Sequence, residues 1–116
     1  MMIMMRGDNV ATSEASKKFK FMCDEIEGYL FDIRRAMDIY EGLVRRESPE
    51  SAIEVRKQFD AVIQRINALR DAGRSMELPE GLEPLKESVA LCKDALKRVK
   101  VGVNQFSQTE IHVEPH

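Results

Sequence analysis

"FKFMCDEIEGYLFDIRRAMDIYEGLV", residues 19–44, sets apolar side chains at Phe19, Met22, Ile26, Tyr29, Ile33, Ala36, Tyr40 and Leu43. The steps alternate between three and four, the spacing that keeps one seam of an α-helix against its neighbours. Cys23, Leu30, Met37 and Val44 form a second column that repeats every seven residues and lies beside the first. A seam two columns wide contacts two neighbours rather than one, so the stretch predicts a helix inside a bundle. Upstream, "TSEAS" at residues 12–16 offers Thr12 or Ser13 as an N-cap, and no proline follows before Pro49.

Working outward, "RRESPES" at residues 45–51 reads as a break and a new start. Ser48 is placed to cap, Pro49 suits the first helical position, and Glu50 favours the positive end of the helix dipole. The second helix carries Ala52, Val55, Phe59, Val62, Ile66 and Leu69 at the same spacing, with Ile63 alongside, and Gly73 is expected to stop it. "GRSMELPEGLEP", residues 73–84, reads as a loop whose Met76, Leu78 and Leu82 pack on the bundle end. Pro84 then opens a third helix bearing Leu85, Val89, Cys92, Leu96, Val99, Val103 and Phe106, with Gly102 as a weak point.

The expected organisation is a flexible Met-rich arm over residues 1–11, one helical domain over 12–106, and a flexible tail over 107–116. Its helices run at about 13–47, 49–72 and 84–106. The fold class is all-α: an antiparallel three-helix bundle with an overlong first helix. At 1.5 Å per residue that helix spans about 50 Å and the others about 35 Å each. The short link at Ser48 packs helix two along the second half of helix one. The first half is then expected to be buried by the far end of helix three or by another subunit, and the seam at Phe19, Met22, Cys23 and Ile26 is the candidate surface for a dimer or a partner.

Composition bounds the function. The 116 residues make one domain, 43% hydrophobic and 33% charged, without tryptophan and with a net charge of −2. Basic and acidic residues alternate along the chain, so no stripe signals nucleic acid, whose phosphates supply most of such affinity. No apolar run approaches the ~20 residues of a membrane span. "MMIMM" at residues 1–5 is short for a secretory segment and has no basic stretch before it, which leads to an expected cytoplasmic location. Arg6, Gly7 and Asp8 form an adhesion-type triplet that has meaning only on an extracellular loop. Cys23 and Cys92 are too far apart for a CxxC motif and read as free thiols in a reducing compartment.

Chemistry is sparse. His112 and His116 are the only histidines, both in the tail, and no phosphate-binding glycine loop, nucleophile elbow or HExxH pattern occurs. Asp24, Glu25, Glu27 and Asp32 fall off the seam, whereas a bundle metal site needs its ligands on it. Glu110, His112, Glu114 and His116 alternate in the tail but lack a scaffold to hold them. The expectation is therefore no enzyme, no cofactor and no metal.

Function then rests on recognition, and apolar residues off the seam are the informative ones. Phe21 and Phe31 are two of these, and Arg34 and Arg35 follow Phe31 at the spacing of one helical turn. Aromatic residues and arginine are the usual anchors of protein interfaces, so these four are the candidate partner-binding residues. Gly28 and Gly42 each cost a helix about 1 kcal/mol relative to alanine, which suggests close approach of another helix along their column. The leading expectation is a small helical regulator, forming a homodimer, that binds another protein and masks its surface. It would act as an anti-activator of a transcription factor or as a chaperone for an exported subunit. The alternative is a self-associating structural subunit of a phage, secretion or flagellar assembly.

Overall fold

The computed structural model describes the backbone of residues 2–113 and the side chains of residues 13–106. It contains three helices, α1 over Met2–Glu47, α2 over Pro49–Ser75 and α3 over Leu82–Val113, and each packs against the other two. No strand occurs among the described residues.

The centre of the bundle lies between the two columns of α1. Ile26 and Ile33 of the first column are fully buried, and so nearly are Leu30 and Met37 of the second. Tyr29, Ala36 and Tyr40 stand at the edge of the core. A helix wedged between two neighbours turns its midline, not its strongest single column, toward the axis. Facing residues are Ala52 and Ile66 of α2 and Leu85, Cys92, Ala95 and Val99 of α3, all buried. Ser88 is buried with them. Its Oγ donates to the Ile66 carbonyl at 3.0 Å, so this polar group enters the core already satisfied.

The turn between α1 and α2 matches its expected chemistry. Ser48 has extended φ and ψ, and its side chain accepts from the Ser51 amide at 3.2 Å, while Pro49 takes the first helical position. Arg56 then reaches Asp38 at 3.3 Å and Asp60 at 3.5 Å, linking α2 to α1 across the surface. Exposed pairs of this kind add little stability, and the apolar seam carries the packing.

Several expected boundaries are corrected. α1 begins at Met2, not at a cap on Thr12 or Ser13, so the backbone of residues 2–12 is helical where an arm was expected. Methionine and alanine favour a helix, and no proline interrupts the stretch, so the helix continues through it despite the cost of Gly7. α2 runs on to Ser75 because Gly73 keeps a negative φ, and the Ser75 hydroxyl donates to the Asp71 carbonyl at 2.8 Å. Gly73 supplies room instead: a Cβ there would sit 2.7 Å from the Gly81 carbonyl oxygen and 2.8 Å from Leu85. α3 starts at Leu82, with Pro84 inside its first turn, where backbone N–H groups have no intrahelical partner to lose. It also runs through residues 107–113, expected as tail.

Of the loop residues expected to cover the bundle end, Leu78 and Leu82 do so, whereas Met76 is exposed. Gly102 is not a weak point but a seat for Tyr40, whose ring would lie 2.6 Å from an added Cβ. Tyr40 in turn packs edge-on against Phe59 and Phe106, with ring centroids 6.1 and 5.8 Å away. This aromatic group ties the three helices together at one end.

Both cysteines are free thiols, Cys92 buried and Cys23 partly so. Burial pushes the Cys92 thiol up to about 11 and raises Cys23 as well, while Arg70 pulls both the other way. A thiol kept neutral by the fold gives a defined pH window. Its contribution is complete below the ordinary thiol value of 9.0 and is lost as pH rises through about 11, because the unfolded chain ionises first. In urea titrations at several pH values, the advantage of the natural chain over Cys92→Ala should shrink by about 2–3 kcal/mol between those limits. A constant difference would show that Cys92 is not held neutral.

Candidate functional site

The face of α1 turned away from the core carries large exposed apolar side chains. Phe21 is 65% exposed, Phe31 60% and Ile39 55%. At 100° per residue, Phe21, Gly28, Arg35, Ile39 and Gly42 fall within an arc of about 60°, with Phe31 on its flank. That arc lies opposite Ile26, Ile33 and Met37, so folding of the chain makes no use of it.

Arg35 leans over the Phe31 ring, with its guanidinium carbon 5.8 Å from the centroid. The contact holds a flexible cation beside an aromatic and pre-forms the pair as a unit. Arg34 does not join it. It lines a hollow toward α2 with Met37, Asp38, Arg56, Asp60 and Ile63. Phe21 stands about 15 Å along the helix from Phe31, so the two aromatics meet one partner only if that partner runs along α1.

The candidate seam fares differently. Ile26 is fully buried within the chain and is withdrawn from any partner surface. Phe19, Met22 and Cys23 are partly buried and pack against the core. The physical reason is that the shared core of α1, α2 and α3 reaches this part of α1. Arg70 and Arg74 lie close enough to act on the Cys23 thiol, and even Ala15 is buried.

Gly28 and Gly42 have nothing within 4 Å of an added Cβ, so among the described residues no other helix approaches them. Replacing either by alanine should stabilise the chain by about 0.5–1 kcal/mol, the difference in helix propensity. Gly102→Ala should instead destabilise it, because Tyr40 must move. Thermal unfolding of the three variants checks the contrast; equal shifts at all three positions would refute it.

Two surfaces escaped the sequence reading. Between α2 and α3 lies a cavity of about 380 Å³ with an apolar lining of Tyr40, Val55, Phe59, Val62, Leu91 and Ala95. Its rim carries Gln58 and the Asp94–Arg98 pair at 3.1 Å. Leu91, one position off the seam of α3, was the available signal. A second hollow, of about 350 Å³, lies between Tyr29 of α1 and the outer side of α3.

No group of three or more potential metal ligands comes together among the described residues, and the tail residues Glu110, His112, Glu114 and His116 lie outside the described side chains. No helix among the described residues is long and apolar enough to cross a membrane. Compared with known protein families, curated proteins and solved structures, the chain finds no match.

Proposed function

We propose that this chain is a small, non-enzymatic, cytoplasmic helical regulator that binds another protein through the outer face of α1 and masks that partner's surface. One observation carries the reading: Phe21, Phe31 and Ile39 are all more than half exposed on a face that internal packing leaves free. An apolar face of this kind, with an arginine stacked on one aromatic, suits a partner helix laid along it. The masked protein is a transcription factor held inactive, or an exported subunit kept from aggregating. The free thiols Cys23 and Cys92 are consistent with a reducing compartment.

The finer architecture belongs to the same proposal. The bundle runs up, down and up, an antiparallel order supported by Arg56 near the start of α2 meeting Asp38 and Glu41 late in α1. Arg70 and Arg74, late in α2, act correspondingly on Cys23. At 46 residues against 27 and 32, α1 is the overlong element, and the chain dimerises through it. A structural subunit is the second reading, favoured by the elongated 77 × 26 × 15 Å shape.

Light scattering from 1 to 100 μM separates the two readings. A regulator stops at a dimer, whereas a filament or shell subunit keeps growing with concentration. Capture on the tagged full chain from the native host, identified by mass spectrometry, should then return one foreign protein. Recovery of the chain alone would overturn the regulator.

A further inference from the structure

The hollow between α1 and α3 brings three cations together beside apolar side chains. Lys93, Lys97 and Lys100 line it, and all three are exposed. Their spacing of four and three residues places them on one face of α3, over about 10 Å of helix. None takes part in an ion pair among the described residues. Arg45 pairs with Glu41, Arg56 with Asp38 and Asp60, Lys86 with Glu83 and Arg98 with Asp94, while Lys17, Lys18, Lys20, Lys57 and Arg65 also have no ion pair among the described residues. What sets the three lysines of α3 apart is that they stand on one face beside an apolar floor. In a chain of net charge −2, three neighbouring cations without counter-ions are a local excess that disfavours the isolated helix.

The floor between them is apolar. Tyr29 and Leu96 are half-buried, and Val101 is 47% exposed. A nucleic acid would satisfy the lysines but leave that floor without a partner. An amphipathic helix with an apolar ridge and carboxylates along its flank satisfies both, because the ridge enters the trough while the carboxylates meet the rim.

We infer that the Tyr29–Leu96–Val101 hollow is a docking site for an acidic amphipathic helix of a partner protein, held by Lys93, Lys97 and Lys100. The site is separate from the outer face of α1, and its test does not depend on that face. A partner engaging both surfaces would wrap around α1.

The test is fluorescence anisotropy of the full chain with three labelled 18-residue helical peptides. They share one Leu and Phe ridge and carry Glu, Gln or Lys on the flanks. The Glu peptide should bind about tenfold tighter than the Gln peptide, the effect of three exposed ion pairs. The difference should fade as salt rises from 50 to 500 mM. The triple variant Lys93→Gln, Lys97→Gln, Lys100→Gln should lose that preference at unchanged helical content, and Val101→Asp should weaken all the peptides. Phe31→Asp should change none of these values. Equal binding of the Glu and Gln peptides would overturn the inference. So would tighter binding of a 20-nucleotide single-stranded DNA or of phosphatidylserine vesicles, or self-association that the triple variant abolishes.

Discussion

Ile66→Ala is expected to lower the unfolding free energy by about 2–5 kcal/mol, the range for emptying a packed core site. Ile66 is 0% exposed, and its carbonyl accepts the Ser88 hydroxyl at 3.0 Å. Truncation therefore opens a void beside α3 and loosens the register that this hydrogen bond sets between α2 and α3. A domain of this size has a total stability of about 5–15 kcal/mol, so the variant loses a large share of it. The comparison is Ile53→Ala, at a residue 59% exposed on the same helix, which should cost less than about 0.5 kcal/mol. Urea unfolding followed by circular dichroism reads both. A cost below about 1 kcal/mol for Ile66→Ala would mean that the three helices do not share the core described above.

Phe31→Asp combined with Arg35→Glu should act in the opposite sense, on binding and not on folding. Phe31 is 60% exposed and its described ring contact is with Arg35, so helical content and thermal midpoint should stay nearly constant. A buried aromatic anchor with its arginine contributes about 2 kcal/mol or more to an interface, so partner affinity should fall at least about 30-fold. Arg34→Glu is the internal control. Arg34 lines the hollow toward α2, and its replacement should affect capture far less.

How much of this was legible in the sequence depends on what each feature needs to be seen. The three helices follow from spacing along the chain, and the α1–α2 break from Ser48, Pro49 and Glu50, because both signals are local. The exposure of Phe21 and Phe31 followed from the same register, being the complement of the seam. Gly73 and Gly102 were misread because a helical glycine's role is decided by what lies across from it, here the Gly81 carbonyl and the Tyr40 ring. Ser88 gave no sign of burial, since only the distant Ile66 carbonyl makes its burial affordable. Ile26 was assigned to an open seam because its cover comes from a core shared with residues distant in sequence, which spacing along α1 does not show. The unpaired lysines of α3 were diluted in the sequence by Asp94 and Glu87, which lie off the Lys93, Lys97 and Lys100 face at 100° per residue.

The central claim is that the outer face of α1 is a partner surface. Its most direct test is quantitative capture from the native host on the tagged wild-type chain and on the Phe31→Asp, Arg35→Glu variant in parallel, with equal folded protein confirmed by circular dichroism. The account predicts one foreign protein enriched on the wild type and lost from the variant. The same protein recovered equally on both would contradict it.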